Sequence, residues 1–182
     1  MSSPSLQTAR LVLRSYCLDD VADLAHLAGT REVSATTLRI PHPYSEEDAR
    51  NFISSGLADR APDVPETRFA ITLRISGQLC GGIGLRMESA HQHAELGYWL
   101  GVPFWGQGYA TEAARAVVNY GFSNLQLHRI YASHFAGNPA SGHVLRKIGM
   151  KYEGCLRGHI CKWGQFHDLE YYGMIRTDCL FA

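Results

Sequence analysis

The sequence predicts one mixed α/β domain, and three observations predict it. Stretches of period-two alternation exchange with helical stripes in the order β α α β β β α β α β β, with no repeat of 20 to 50 residues and no low-complexity linker. The run from 94 to 135 reads strand, helix, strand, which calls for a right-handed crossover and locally parallel pairing. The chain has 182 residues, 46% of them hydrophobic, which suffices for one sizeable core and excludes a disordered or collagen-like polypeptide.

The first strand runs from Thr8 to Tyr16, where Leu11 and Leu13 alternate with Arg10, Val12 and Arg14. A helix starts at Leu18-Asp19-Asp20 with either Asp as its cap. Val21, Leu24, Leu27 and Ala28 form its stripe and Gly29 stops it. After the Pro-bracketed loop Ile40 to Tyr44, a second helix opens at Ser45 with Asp48 three positions on, and Ala49, Phe52, Ile53 and Leu57 as its apolar face. Residues 61 to 67 read as a loop, and 68–75 with 78–87 as a hairpin around Ser76-Gly77. A strand over 94–100, a helix from Tyr109 to Asn124 and a β-branched, aromatic strand over 128–135 follow. Asn138 opens a helix closed by Gly149, and strands over 151–161 and 166–176 meet at Trp163-Gly164.

Seventeen Lys+Arg balance seventeen Asp+Glu, so no global field favours nucleic acid or an anionic membrane as partner. The longest nearly apolar stretch, Leu96 to Trp105, contains two glycines and a proline and is far short of the ~18 residues of a membrane span. Residues 1–14 carry no secretory h-region or cleavage site, and the five cysteines (17, 80, 155, 161 and 179) form no C-x-x-C pair. The expectation is a reduced, cytoplasmic protein. His91 and His93 alternate as on a strand but lack a third ligand at suitable spacing, so no metal is expected. His128, His159 and His167 carry no clear pattern, and Cys155 and Cys161 read as half-buried hydrophobes. Phe104, Trp105, Tyr109, Tyr120 and Phe122 read mainly as core, with Trp105 placed to shield a ligand.

The chemically informative segment is the strand, Gly-rich turn and helix from Glu95 to Ala113. Gly106 and Gly108 allow a turn without side chains, so that backbone N–H groups from Gln107 to Thr111 can converge on one anion at a helix N-terminus. The segment lacks the Gly-Lys-Ser/Thr of a P-loop and the G-x-G-x-x-G of a dinucleotide site.

Several motifs in register resemble the GNAT acyltransferase superfamily, and within it the RimJ/RimL type that includes ribosomal-protein alanine acetyltransferases. They are Thr8-Ala-Arg-Leu-Val-Leu-Arg, Glu95-Leu-Gly-Tyr-Trp-Leu, Trp105-Gly-Gln-Gly-Tyr-Ala-Thr-Glu-Ala, Asn138-Pro-Ala-Ser with Leu145-Arg-Lys-Ile-Gly-Met, and Gly164-Gln-Phe-His-Asp-Leu. The resemblance implies a single GNAT-type domain over 8–176, with a mixed, mostly antiparallel central sheet splayed at an acetyl-CoA site and about four flanking helices. It implies an acetyl-CoA-dependent N-acetyltransferase, with acetyl-CoA as co-substrate and a primary amine as acceptor. A protein N-terminal α-amine is the first reading. A small-molecule amine (polyamine, amino acid or aminoglycoside) and an inactive acyl-CoA sensor are the alternatives, and a homodimer is compatible with the resemblance.

The family's signature Gln/Arg-x-x-Gly-x-Gly/Ala falls on Trp105 to Ala110, with Trp in its first position. By resemblance, Gln107, Gly108, Tyr109, Ala110 and Thr111 bind the pyrophosphate, and the strand edge at Trp99, Leu100 and Gly101 pairs with the pantetheine arm. Gly101 and Pro103 suit a bulge or strand end there.

The attacking amine must be neutral. An α-amine with pKa near 8 is ~10% neutral at pH 7, whereas a lysine amine is below ~0.1%, so a weak base serves an α-amine. Glu95 shares a strand face with Gly97 and Trp99 and is the expected base, its alternative being an exposed strand carboxylate balancing an Arg or His. Asn138 reads as a helix cap that the resemblance also brings to the thioester. The family's proton-donating Tyr seven residues later is Leu145 here, leaving Ser141 to hydrogen-bond the sulfur. Lys147 is expected at the nucleotide end or in solvent. The amine-side loops, 30–45 and 158–168, contribute His42, Tyr44, His159, Lys162, Trp163 and His167.

Overall fold

The computed structural model describes residues 4–58 and 66–179. Within them the strands are β1 (Leu6–Gln7), β2 (Leu11–Arg14), β3 (Glu66–Leu73), β4 (Leu79–Glu88), β5 (His93–Leu100), β6 (Arg129–Phe135), β7 (Lys151–Lys162) and β8 (Gln165–Ile175). The helices are α1 (Val21–Ala28), α2 (Arg31–Thr36), α3 (Glu46–Ala58), α4 (Tyr109–Ser123) and α5 (Pro139–Lys147). One sheet forms in the order β1-β2-β3-β4-β5-β6-β8-β7. Every pair is antiparallel except β5–β6, which are joined by the α4 crossover.

Alternation in the strands sorts the sheet into two faces. Leu11, Leu13, Phe69, Ile71, Leu85, Leu96 and Ile130 are fully or almost fully buried, each such side chain stabilising the fold by roughly 1.5–3 kcal/mol. Helix α4 lies close to this face because Gly121 has no side chain; a Cβ there would meet Ile130 at 2.8 Å and Leu85 at 3.0 Å. Helices α1 and α3 pack against one another, with α1 also against β4, and Phe52 of α3 meets Tyr16 edge-on at 5.4 Å. A Cβ at Gly82 would collide with Tyr16 and Trp99. Trp99 therefore faces the α1/α3 side while Tyr98, one residue earlier, reaches α5.

Several sequence expectations need correction. The opening strand expected over 8–16 is confined to β2, with the separate short β1 ahead of it, because the Ala9-Arg10 bend is tied to α4: Glu112 accepts from the Thr8 hydroxyl (2.6 Å), the Arg10 N–H (2.8 Å) and Arg10 Nε (2.7 Å). Asp20, one of the two expected caps, occupies the N-cap position of α1, but its side chain makes no capping bond. The Asp20 carboxylate instead turns back to the Cys17 N–H (2.9 Å) and takes two 2.7 Å bonds from Arg14, starting a 3-10 turn over Leu18–Asp20. Gly29 ends α1 in right-handed geometry, so left-handed freedom is not its role; a Cβ there would meet the Ala25 carbonyl at 2.5 Å and that of Tyr44 at 3.1 Å. The 30–45 loop contains α2, whose short Arg-Glu-Val-Ser-Ala-Thr run has too few apolar positions to show a helical period. Of the loop expected over 61–67, Glu66 and Thr67 belong to β3, and 61–65 lie outside the described residues. Cys155 and Cys161 are exposed rather than half-buried, since β7 is the edge strand. His91 sits in a 3-10 turn, and both it and His93 face Glu88, at 3.7 Å and 3.0 Å. Among the described residues no group of three His, Cys, Asp or Glu could hold a metal, and no helix is long and apolar enough to cross a membrane.

Candidate active site

The parallel pair β5–β6 is joined only at its start. Its register runs His93↔Arg129, Ala94↔Ile130 and Glu95↔Tyr131 and then stops, while β5 continues beside β4 as far as Leu100. The β5 edge from Leu96 to Leu100 is thus left without a strand partner, a place where an extended amide-bearing ligand can add itself. Gly101 marks the strand end, as its residue type suggests, and its bareness also admits Leu27 of α1, whose Cδ2 would lie 2.6 Å from a Cβ. The Gly101 N–H points to Cys80 O on β4 (2.8 Å), so this amide is not part of the open edge. A cavity of about 430 Å³ occupies the gap. Its lining draws on both faces of the sheet: Trp99, Arg86 and Glu95 on one, Tyr98, Asn138 and Ser141 on the other.

At one end the cavity reaches Gly106 and the start of α4. Gly106 (φ +73°) and Gly108 (φ +80°) are both left-handed, a conformation costing a residue with a Cβ roughly 1–2 kcal/mol. No side chain caps this end of α4, so the N–H groups of its first turn and the helix dipole are presented together. The turn is braced by Gln107, whose amide donates to Pro103 O (2.8 Å) and whose carbonyl accepts from Arg10 (3.0 Å). A second, more open hollow beside it is lined by Arg10, Gly108, Thr111, Arg115 and Lys147, so the exposed Lys147 stands near the Gly108 turn and in solvent alike. Trp105 is 42% exposed and fixed by its indole N–H to Leu100 O (2.7 Å), on the cavity rim. Phe104 and Phe122 are core, whereas Tyr109 and Tyr120 are half-buried.

Across the gap, Asn138 caps α5 by accepting from the Ser141 N–H (3.3 Å), with Pro139 in the first turn. The Ser141 hydroxyl lies 2.7 Å from the hydroxyl of Tyr98. Burial pushes the Tyr98 phenol up to about 12, against the opposing pull of Ser141, so it stays protonated at neutral pH and can orient the serine. Tyr98 escaped the sequence reading because its partner lies 43 residues away. Leu145, in the position of the family's tyrosine, is fully buried in the core.

On the other face, Glu95 does lie beside Gly97 and Trp99, but its neighbours are not only small and aromatic. Arg39 and Arg86 both bind its Oε2, at 2.8 Å and 2.7 Å. Neither arginine was singled out from sequence; Arg86 was legible as the residue opposite Glu95 in the β4–β5 register, whereas Arg39 arrives from a loop. That loop is held by Lys162 at the β7–β8 tip, whose ammonium donates to the carbonyls of Ser34, Thr37 and Ile40. Burial lowers its pKa. Trp163 packs beside it under Arg31 and against His42. Thr36 to Ile40 line the cavity, so the tip of β7–β8 shapes this wall of it, where the amine side is expected. Of the other loop residues expected there, His42, Tyr44, His159 and His167 are not part of the lining.

A family model described as an acetyltransferase (GNAT) domain matches residues 10–151. The chain therefore belongs to the GNAT acetyltransferases and is an N-acetyltransferase of that acetyl-CoA-using family. It is 32% identical over 174 residues to the uncharacterized N-acetyltransferase YoaA of Bacillus subtilis, covering 95% of this chain and 97% of that one. It is 28% identical over 157 residues to the spermidine N(1)-acetyltransferase of Escherichia coli (79% and 83% covered). Its fold matches RimL, the ribosomal L7/L12 α-N-protein acetyltransferase solved with CoA, at a TM-score of 0.84 and 20% identity over 94% of this chain and 98% of that one.

Proposed function

We propose that the protein acetylates an α-amine, at the N-terminus of a protein or peptide, by direct attack on acetyl-CoA held in the β5–β6 gap. The observation that carries the acceptor class is the charge of the amine-side wall. Arg39, Arg68 and Arg86 line it, and among its described residues Glu95 is the acidic one. A polyamine, with several ammonium groups, needs the opposite balance, whereas an α-amine next to a peptide group brings one charge that it must lose before attack.

In this reading the N–H groups of Gln107, Gly108, Tyr109, Ala110 and Thr111 hold the pyrophosphate, and the β5 edge at Trp99 and Leu100 receives the pantetheine amides, the Gly101 amide being engaged with Cys80 O. Asn138 and Ser141 sit at the thioester, with Tyr98 turning the serine hydroxyl toward the sulfur. Glu95, steadied by Arg39 and Arg86, takes the ammonium proton directly or through water and releases it to solvent.

Acetyl-CoA-dependent thiol release, measured with N-terminal peptides of ribosomal proteins beside polyamines, amino acids and aminoglycosides, tests the reading. Turnover with the peptides is expected. Turnover confined to spermidine would favour the second reading, a small-amine acetyltransferase, to which the likeness to the E. coli spermidine enzyme points. Tight CoA binding with no turnover on any amine would favour a sensor.

A further inference from the structure

On the face of β5 that carries Glu95, one position is bare where the strand has room for a side chain. Glu95, Gly97 and Trp99 alternate onto that face, opposite Arg86, Gly84 and Gly82 of β4. Two of the three glycines have packing reasons. A Cβ at Gly82 would collide with Tyr16 and Trp99, and one at Gly84 would stand 2.6 Å from Thr67 O on β3. Gly97 has no such reason: its backbone is not left-handed, and a Cβ there would meet nothing within 4 Å among the described residues. It is exposed although β5 lies between β4 and β6, because it opens onto the cavity. A bare glycine weakens a strand interior, and one without a turn or a packing contact to require it marks a place where a ligand approaches the backbone. The walls beside it are apolar. Arg39, which reaches Glu95, is flanked in the chain by Leu38 and Ile40; both line the cavity with Phe52 and Trp99, and Leu38 is 39% exposed. Lys162 holds this segment through the carbonyls of Thr37 and Ile40.

We propose that the first side chain of the acceptor peptide lies over Gly97, and that Gly97 thereby sets a preference for a large apolar first residue, the size of leucine or methionine. The inference rests on the α-amine reading above and deepens it. An α-amine within reach of Glu95 carries its first side chain on the adjoining Cα, and Gly97 is the next position on the same strand face, about 6–7 Å along. A peptide with its amine at the base thus brings this side chain against the bare backbone. Leu38, Ile40, Phe52 and Trp99 offer it apolar surface, whereas a charged side chain would lose its hydration against them. A residue with only a methyl group leaves the space over Gly97 unfilled and forgoes that burial. Arg39 and Arg86 are both turned to Oε2 of Glu95, on the amine side of this space.

The test is kcat/KM for acetyl-CoA-dependent thiol release over short peptides that differ only in their first residue: Ala, Leu, Met or Asp. Wild-type protein should favour Leu and Met over Ala by about tenfold or more, with Asp below Ala. Gly97→Val fills the space with a residue that a strand favours, and should cut the Leu-to-Ala ratio about tenfold through the KM for the peptide, while the KM for acetyl-CoA stays within about twofold. Should the variant fail to fold, the wild-type series decides by itself. Equal rates across the series overturn the proposal, as does a preference for Asp, which would put the first side chain at Arg39 and Arg86. A Gly97→Val protein that slows the Leu and Ala peptides alike overturns it too. In each of these cases the peptides still turn over and the α-amine reading stands. Silence of wild-type protein with every peptide overturns that reading, and this inference with it.

Discussion

Glu95 and Arg86 face each other across β4 and β5, and the 2.7 Å bond between them fixes the carboxylate at the point where β5 parts from β6. The last β5–β6 pair is Glu95↔Tyr131, so the proposed base stands at the mouth of the gap. Replacing Glu95 by Gln preserves its shape and one acceptor but removes the base. Turnover should fall roughly 10²-fold with the acidic limb of the kcat profile flattened, while acetyl-CoA affinity is retained. Unchanged kcat would remove Glu95 from the mechanism.

Gly108 tests the phosphate cradle separately. Its φ of +80° strains any side chain, and the neighbouring protein leaves room, with Arg10 Nη2 3.5 Å from a built Cβ. Gly108→Val should therefore cost about 1–2 kcal/mol of stability and raise the KM for acetyl-CoA at least about tenfold by placing bulk where phosphate approaches. Isothermal titration with CoA on folded variant checks this, and unaltered affinity would refute the placement.

Ser141 and Tyr98 should behave as a unit. Tyr98→Phe is expected to lower kcat severalfold, Ser141→Ala about tenfold, and the double variant no more than Ser141→Ala alone, because the tyrosine acts only through the serine. Fully additive losses in steady-state kinetics would separate them.

The strap formed by Lys162 leads to a different kinetic signature. Lys162→Met keeps the aliphatic stem but frees three carbonyls that hold the Thr36 to Ile40 wall. The KM for the amine should rise about tenfold while the KM for acetyl-CoA stays within about twofold. An equal rise in both would mean that the loop supports the fold at large.

Asp20 supplies a pH prediction remote from catalysis. Burial pushes its carboxyl up, but the hydrogen bonds from Arg14 and the Cys17 N–H outweigh this and hold it below the usual carboxylate range. Because the folded value lies below the unfolded one, near 3.9, the contribution is complete above that unfolded value and is lost as pH falls through the folded one. Asp20→Asn should thus destabilise the protein by about 1–3 kcal/mol at pH 7 and by much less at pH 2, measured by urea unfolding.

The long periodic elements were legible because each repeats its own signal. Helix α4, the β7–β8 hairpin and the Asn138 cap arise from local pattern, and the parallel β5–β6 step follows from strand, helix and strand in succession. Helix α2 was not legible, because six residues give too little period and its position depends on Lys162, 128 residues from Ser34 in the chain. The half-buried reading of Cys155 and Cys161 failed for a related reason: strand alternation does not reveal which strand will be the edge.

The sequence by itself determined the long elements, the two-glycine turn ahead of α4, the family resemblance and the candidates Glu95, Asn138 and Ser141, since these depend on local periodicity, backbone sterics and motifs contiguous in the chain. Only the tertiary structure decided that Arg39 and Arg86 share one oxygen of Glu95, that Tyr98 meets Ser141, and that Lys162 holds the Thr36 to Ile40 wall. Each of these last is a meeting of side chains brought together by sheet register and packing, and a contact set by burial across distant strands leaves no periodic trace in the residues that make it.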